Sequence, residues 1–348
     1  MSLEAFRERI LQRTPLCLRG GGSKDFYGGP LVGEPLVVSI HRGIVSYEPS
    51  ELVVTARAGT PLAELETVLA ERGQWMAFEP PGFGGAATLG GALAAGLSGP
   101  GRASYGALRD FVLGAKVMDG EGRVLTFGGQ VMKNVAGFDV SRLLAGSLGT
   151  LGLILEVSLK VLPLPVARAT LRFQLPQDKA LDLMNRWAGK PVPVTATSWT
   201  DQVLTVRLAG AEAAVRGACG TLGGERVVDR EAAAHWAGLR EQGHPFFAGN
   251  APLWRLSVPS TAAALELPGG TLVEWGGAQR WLRGDHDPAW LRDLAHRAGG
   301  HATLFRGGDR AAGVFAPLPK PLAAIQRRLK ATFDPHGVFN RGRLFPDF

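Results

Sequence analysis

The sequence predicts an α+β protein of two domains, and three observations support this. The chain has 348 residues, more than the roughly 250 to 300 at which a single hydrophobic core stops growing. Strand patterns alternate with helical ones along the whole chain. The strongest strand pattern, over 151–162, ends at Pro163 and Pro165, because proline cannot donate to a sheet ladder. We therefore expect a first domain over 1–165.

Short apolar segments separated by turn residues define the first domain. The turn Asp119–Gly122 has hairpin composition. The predicted elements are a helix near 2–11, a strand over 15–18, a hairpin of 36–40 with 44–47, a strand over 52–58, a helix over 60–73, a strand over 75–78, and a hairpin of 111–118 with 123–127.

The second domain, predicted over 166–330, has the pattern of an antiparallel sheet with helices on one face, an α+β cap. No internal repeat is evident in the sequence. The predicted elements are strands over 169–175, 194–200, 203–208 and 254–258, a hairpin of 271–275 with 279–283, and helices over 288–297 and 320–332.

Composition excludes several classes of protein. Apolar residues make up 45% and charged residues 20% of the chain, a globular balance. The net charge of +7 favours anions, but without a basic run we expect no nucleic-acid partner. The uncharged stretch 80–101 holds too many glycines and prolines for a transmembrane helix. The N-terminus lacks an apolar signal core, so we expect a cytoplasmic location.

Two glycine-rich segments predict a site for a diphosphate. The first, Arg19 to Ser23, follows a strand, and its three glycines let successive backbone N–H groups turn toward one anion. The second runs from Pro81 to Ala95, where Thr88 is placed to cap a helix whose first amides face the same group. Taken alone, the first segment is equally compatible with an ordinary flexible turn.

The second segment also imitates a dinucleotide-binding fingerprint, with Gly82, Gly84 and Ala87 at the fingerprint spacing. Its context argues against NAD. Pro80 and Pro81 separate it from the preceding strand, and no acidic residue that could bind a ribose follows before Arg109.

Six motifs in order resemble the FAD-linked oxidase family of the vanillyl-alcohol-oxidase (PCMH) type, and within it the small FAD-binding subunits of bacterial glycolate oxidases. The tail 333–340 resembles the closing segment of that family, which implies that 331–348 returns to a first domain built of two α/β subdomains. The motifs are Arg19 to Ser23, Thr88 to Gly91, Arg102 to Gly106, Val112 to Gly114, Lys133 to Asp139 and Gly146 to Gly152.

The resemblance implies a set of FAD-binding residues. Arg19, Gly20, Gly21, Gly22, Ser23 and Gly82 would hold the diphosphate. Thr88, Gly90, Gly91, Ala94, Ala95, Arg102 and Tyr105 would line the flavin. Gly137 and the backbone of Ile154 would meet the ribityl or adenine end, and Lys24, Pro81 and Gly152 complete the predicted set. Some members bind FAD covalently through a histidine where this chain has Ser23, so FAD should be non-covalent here.

Catalytic groups are harder to predict. The histidine-rich Gly-Asp-Gly-Asn motif of complete hydroxy-acid dehydrogenases is missing from the sequence. Gly284 to Asp287 resembles that motif only weakly. The dispersed histidines, with Cys17 and Cys219 far apart, predict no metal site. A substrate carboxylate still needs a cation and its hydroxyl a base. We predict Arg255, His301 and Arg306 for these roles.

The leading hypothesis is a FAD-binding subunit of a glycolate oxidase that oxidises a small 2-hydroxy acid to a 2-oxo acid. Its expected partners are a larger FAD-containing subunit and an iron–sulfur subunit that receives the electrons, with attachment to the inner face of the membrane only through partners. One alternative is a self-sufficient FAD-dependent 2-hydroxy-acid dehydrogenase. Another is a non-catalytic scaffold subunit with a vestigial flavin site.

Overall fold

The computed structural model describes residues 2–129 and 139–347, and it divides into two compact units. Unit 1 comprises Met1–Leu97, Ala107–Pro163 and Pro317–Phe348, and unit 2 comprises Ser98–Gly106 and Leu164–Ala316. The α+β class predicted from the sequence is confirmed, since helices and mostly antiparallel sheets occur in both units.

The described helices and strands follow in chain order. The helices are α1 (Leu3–Leu11), α2 (Leu62–Ala70), α3 (Leu89–Ala95), α4 (Arg102–Tyr105), α5 (Leu108–Phe111), α6 (Gln177–Ala188), α7 (Glu212–Leu222), α8 (Asp229–Arg240), α9 (Pro288–Arg297) and α10 (Lys320–Phe333). The strands are β1 (Leu16–Arg19), β2 (Glu34–Val37), β3 (Ile44–Glu48), β4 (Val53–Arg57), β5 (Gln74–Trp75), β6 (Val112–Met118), β7 (Val124–Gly128), β8 (Leu153–Lys160), β9 (Leu162–Pro163), β10 (Ala167–Gln174), β11 (Val194–Thr200), β12 (Val203–Gly210), β13 (Glu225–Arg226), β14 (Leu253–Ser257), β15 (Thr271–Glu274), β16 (Gln279–Arg283) and β17 (His301–Arg306).

Unit 1 is built around a five-stranded antiparallel sheet in the order β3-β4-β8-β6-β7. The central strand β8 is buried on both faces, which explains its continuous run of apolar residues. Helix α2 buries Leu62, Leu65 and Leu69 along one face, and each buried leucine contributes about 2 kcal/mol to stability.

The structure confirms one predicted hairpin of unit 1 and corrects the other. Strands β6 and β7 pair as predicted, and the Asp119 carboxylate closes their turn by accepting hydrogen bonds from the Glu121 and Arg123 amides. The hairpin predicted from 36–40 and 44–47 is wrong. Strand β2 pairs in parallel with β1, and β3 pairs with β4. The turn between β2 and β3 separates two sheets. The composition of a turn does not show with which strand the segment on either side of it pairs.

Unit 2 contains an eight-stranded sheet in the order β13-β10-β12-β11-β15-β16-β14-β17. Its two halves share one topology. Counted inward from its own edge of the sheet, each half places its fourth strand first, then its first, third and second strands. These are β13, β10, β12 and β11 in the first half, and β17, β14, β16 and β15 in the second. This is the order of a ferredoxin-like βαββαβ unit. The structure thus repeats a topology that is not evident in the sequence. The second half has a non-helical segment, 258–270, where the first half has α6, which hides the repeat in the sequence.

Helices cover both faces of this sheet, which corrects the prediction that they lie on one face. Helices α6 and α7 pack with Leu171 and Val206 on what we name face A, and α9 packs on the same face of the second half. Helix α8 packs on the opposite face, face B, where the Trp236 indole donates to the Thr170 hydroxyl. The short apolar face of α8 gives no indication of which side of a sheet it covers.

A buried arginine holds the segment that replaces the missing helix. The side chain of Arg280 on β16 is fully buried, and it donates to the carbonyl oxygens of Ala262 and Ala263, both at 2.6 Å, and of Gly277 at 3.2 Å. Burial lowers the pKa of Arg280 to about 10, so it keeps its charge at neutral pH. The guanidinium therefore satisfies backbone acceptors that a helix would have satisfied internally.

Within residues 2–129 and 139–347, no helix has the length and apolar character needed to cross a membrane.

Replacing Arg280 should destabilise unit 2. Arg280→Met keeps much of the volume but leaves three carbonyl groups without their charged donor, so we expect a loss of about 2 to 4 kcal/mol. The measurement is urea unfolding followed by tryptophan fluorescence. The control Arg297→Met removes only an exposed ion pair on α9 and should change stability by less than about 0.5 kcal/mol. Equal stability of both variants would contradict this role for Arg280.

Candidate functional site

The glycine turn after β1 packs directly against the second glycine-rich segment. A Cβ atom on Gly20 would lie 2.3 Å from the Thr88 hydroxyl oxygen, and one on Gly21 would lie 1.4 Å from the Ala86 carbonyl oxygen. Side chains at either position are sterically excluded. The two segments predicted to hold one ligand are therefore in direct contact, with Gly20 against the Thr88 side chain and Gly21 against the Ala86 backbone.

Thr88 and the first turn of α3 form the next part of the site. The Thr88 hydroxyl accepts a hydrogen bond from the Gly91 amide, as expected for an N-cap. A Cβ on Gly90 would lie 2.6 Å from the Cβ of Ala58 on the neighbouring strand segment. Small residues thus allow α3 to approach the sheet closely.

The opposite wall comes from the loop that precedes β8. A Cβ on Gly149 would lie 2.6 Å from the side-chain amide of Asn340, and one on Gly152 would lie 2.6 Å from Val117. Gly149 also has a φ of +73°, which favours glycine.

These segments enclose a narrow cleft of about 70 Å³ in unit 1. Many predicted cofactor-binding residues line it, although they come from three distant parts of the sequence. They are Arg19, Gly20, Thr88, Gly90, Gly91, Ala94, Gly152 and Ile154. Gly20, Gly90, Gly91 and Gly152 contribute only backbone to the lining of this cleft, and exposed main-chain groups of this kind can bind a flat or phosphate-bearing ligand.

Arg19 at the cleft forms an ion pair, and several other predicted residues do not line the cleft. The Arg19 guanidinium is 2.5 Å from the Asp25 carboxylate, so its charge is engaged. Lys24 lies over the Phe83 ring, 5.5 Å from its centroid. The remaining predicted residues that do not line the cleft are Gly21, Gly22, Ser23, Pro81, Gly82 and Ala95. Gly137 lies outside the described residues, and Arg102 and Tyr105 belong to unit 2, where Arg102 stacks on Trp275 at 4.6 Å.

Sequence reasoning missed several residues of this cleft, among them Val38, Ala58, Leu148, Gly149 and Asn340. A signal existed for two of them. Gly149 lies within the motif Gly146 to Gly152, and Asn340 ends the tail segment that resembles the family. The contact of the tail with the cleft spans almost the whole chain, and local patterns do not encode it.

The predicted catalytic residues lie on face B of unit 2. Arg255 is paired with Thr303 and Ser257 with His301, so Arg255 and His301 share a face. Burial lowers the pKa of His301, and the nearby Arg255 lowers it further. Arg306 follows a register shift and donates to the Phe247 carbonyl oxygen at 3.0 Å. Its guanidinium is therefore engaged with the backbone.

A buried carboxylate on the same face was missed. Glu274 is 3% exposed and accepts hydrogen bonds from the Trp281 indole at 2.6 Å and the Gln279 amide at 3.1 Å. Its neighbours on the strand are apolar, and no spacing rule singles it out.

A cavity of about 870 Å³ in unit 2 has a different lining. At its floor the Ser198 hydroxyl lies 2.9 Å from the His235 Nε2, and the His235 and His244 rings are perpendicular with centroids 5.5 Å apart. Burial, the charge of His244 and Arg172 lower the pKa of His235 to about 4. Both Asp201 and Glu225 line the cavity, and Arg172 is paired with Glu231. This charge pattern does not favour a carboxylate ligand.

Among residues 2–129 and 139–347, no group of three potential metal ligands lies close enough to hold an ion.

The chain is similar to FAD-binding proteins. A family described as FAD binding domain matches residues 5–128. The glycolate oxidase subunit GlcE of Escherichia coli (strain K12) is 46% identical over 345 residues, which cover 99% of this chain and 97% of that protein. The glycolate oxidase subunit GlcD of Bacillus subtilis (strain 168) is 30% identical over 46% of this chain and 34% of its own length.

The fold also resembles that of a known structure. Alkyldihydroxyacetonephosphate synthase superposes with a TM-score of 0.67 over 97% of this chain and 74% of that chain, at 16% identity. At this identity the similarity concerns the fold alone. The match covers residues of both units.

The half-buried His235 should make unit 2 acid-sensitive. Its folded pKa of about 4 lies below the ordinary value of 6.5, so between these values the unfolded chain binds a proton that the folded chain does not. Stability should therefore fall as the pH drops from 6.5 to 4. His235→Gln, whose amide can still bond Ser198, should retain about 2 kcal/mol of the stability that the wild type loses between pH 7 and 4.5.

The measurement is urea unfolding of wild type and variant at both pH values. His296→Gln replaces an exposed histidine on α9 and serves as the control for a general effect of losing an imidazole. If His235→Gln loses as much stability on acidification as the wild type, His235 is not held neutral in the folded protein.

Proposed function

This chain belongs to the family of FAD-binding glycolate oxidase subunits, and from that premise we propose that it is the FAD-binding subunit of a glycolate oxidase. The observation that supports this most strongly is the match to the Escherichia coli subunit, which runs through both units from end to end. A shared FAD-binding segment alone would support only a flavoprotein of unspecified activity.

The cofactor of the chain is FAD, and the chain is an FAD-dependent oxidoreductase. We propose that the cleft of unit 1 holds the FAD. Gly20, Gly21 and Gly22 would present backbone N–H groups to the diphosphate, because these positions have no side chain to screen the amides. Ser23, Lys24, Pro81 and Gly82 would flank it.

The rest of the predicted set extends this site in the proposal. Gly90, Gly91 and Ala94 permit close approach of a flat group to α3. Gly152, Ile154 and Gly137 would meet the ribityl or adenine end, and Thr88, Ala95, Arg102 and Tyr105 the flavin side. Ser23 has no nitrogen nucleophile, and so we propose that FAD is held without a covalent bond.

Bound FAD would supply two-electron chemistry, accepting electrons from a 2-hydroxy acid and passing them to a second carrier. The residues of this chain would bind and orient the cofactor. We propose that a larger FAD-containing subunit works beside this chain and that an iron–sulfur subunit receives the electrons. We also propose that the complex acts in the cytoplasm, at the inner face of the membrane only through its partners.

A second candidate is a self-sufficient 2-hydroxy-acid dehydrogenase, favoured by the shared face of Arg255 and His301. A guanidinium beside a histidine with a lowered pKa provides a cation for a carboxylate and a base for a hydroxyl. Arg306 fits this role less well because it already bonds the Phe247 carbonyl.

The close packing of the glycine turn predicts a specific mutational effect. In Gly21→Ala the new Cβ would lie 1.4 Å from the Ala86 carbonyl oxygen, so one of the two turns must move, and FAD affinity should fall at least about tenfold. Gly129→Ala places a Cβ where no atom of residues 2–129 or 139–347 lies within 4 Å, and it should leave affinity unchanged within about twofold. The measurement is FAD titration of the apoprotein, followed by flavin fluorescence.

The division of labour between subunits predicts the behaviour of the isolated chain. The purified chain should take up FAD and show flavin absorbance, yet oxidise glycolate only after its partner subunits are added. The measurement is anaerobic bleaching of the flavin by glycolate and by a panel of other 2-hydroxy acids. Full bleaching by the isolated chain would support the self-sufficient dehydrogenase instead, and a chain that binds no FAD would leave only a scaffold.

A further inference from the structure

We infer that the C-terminal segment 330–343, which we name the C-terminal clasp, positions the FAD-binding cleft, and that Asn340 is its central positioning residue. The inference rests on the proposed role of that cleft. None of the residues predicted from the sequence to bind FAD lies in this segment.

The side chain of Asn340 joins two walls of the cleft. Its Oδ1 accepts a hydrogen bond from the Leu18 amide at 2.7 Å, and its Nδ2 donates to the Leu148 carbonyl oxygen at 2.6 Å. Leu18 precedes the glycine turn, Leu148 precedes Gly149, and all of these residues line the cleft or adjoin it. One 4% exposed carboxamide thus sets the separation of two segments about 130 residues apart in sequence.

The backbone of the clasp reinforces this bridge. The Asn340 amide donates to the Leu16 carbonyl, and the Leu16 amide donates to the Val338 carbonyl. Phe339 thereby pairs in parallel with Leu16 beside β1. Asn340 itself has a φ of +43°, a left-handed conformation that asparagine tolerates better than most residues.

A buried ion pair ties the clasp to the loop before β8. The Lys330 ammonium donates to the Asp334 carboxylate at 2.6 Å, the Thr150 carbonyl at 2.7 Å and the Phe339 carbonyl at 3.0 Å. The Asp334 carboxylate also accepts from the Val338 and Phe339 amides, both at 2.8 Å. All three donors of the ammonium are used, which offsets the cost of burying both charges. Thr150 lies two residues before Gly152 of the cleft.

Arg343 ties the clasp to the segment after the glycine turn. This residue is 5% exposed, and its guanidinium donates to the carbonyl oxygens of Tyr27, Gly29 and Asp25. The Gly29 amide returns a bond to the Arg343 carbonyl. The clasp therefore contacts the chain on both sides of the cleft, and Asn340 lies between these two anchors.

A segment that fixes the cleft in its binding shape is linked thermodynamically to the ligand. If the docked clasp favours FAD binding, then FAD must favour the docked clasp by the same factor. A segment that only stabilises the fold would lower stability when altered, but it would not change affinity per folded molecule.

The test compares FAD affinity with apoprotein stability in two variants. Asn340→Gly keeps the left-handed backbone but loses both side-chain bonds, and we expect the Kd for FAD to rise about tenfold. Asn340→Asp keeps the acceptor, loses the donor to Leu148 and adds a negative charge beside the proposed diphosphate site, so its Kd should rise further. FAD affinity is measured by titration in the absence of denaturant, and stability is measured by urea unfolding of the apoprotein.

Asn185→Asp is the matched control. Asn185 also bridges two carbonyl oxygens with its side-chain amide, those of Leu181 and Ser260, but it lies in unit 2. This variant should lose stability while the Kd for FAD stays within about twofold of wild type. An Asn340 variant that loses stability but binds FAD like wild type would overturn the inference.

Hydrogen exchange of the wild type decides the question if the Asn340 variants do not fold. Added FAD should slow exchange of the amides of 338–343 as well as those of 16–22, and it should leave α9 unchanged. Protection of 16–22 without any protection of 338–343 would overturn the inference while leaving the proposed function intact. A wild-type chain that binds no FAD would refute the proposed function itself.

Discussion

The candidate site depends on the direct contact of two glycine-rich segments. The positions of Gly20 and Gly21 against Thr88 and Ala86 leave no room for a Cβ atom, so only glycine permits this approach. The loop before the buried strand β8 supplies the opposite wall, and α3 approaches the sheet closely because Gly90 has no side chain.

Much of the fold follows from local sequence patterns. The strong strand over 151–162, the Asp119 turn and the hairpin of β15 with β16 were all predictable, since periodicity and turn chemistry act over a few residues. Pairings between distant segments were not. The parallel partner of β1, the face covered by α8 and the repeated topology of unit 2 are set by tertiary packing, which a single sequence does not reveal.

The candidate site divides in the same way. Glycine motifs with a resemblance to a known family predicted residues from three chain segments, and the structure brings many of them to one cleft. Asn340 was missed because its two partners, Leu18 and Leu148, lie 322 and 192 residues from it in sequence. In unit 2, the pairing of strands places Arg255 beside His301, whereas a register shift turns Arg306 to the Phe247 carbonyl. Strand periodicity alone predicts neither outcome.

A structure of the chain determined with bound FAD tests the central claim most directly. The account predicts the two phosphates within hydrogen-bonding distance of the Gly20, Gly21 and Gly22 amides, with Asn340 still bridging Leu18 and Leu148. FAD bound elsewhere, or FAD bound with no phosphate beside the glycine turn, would contradict the account.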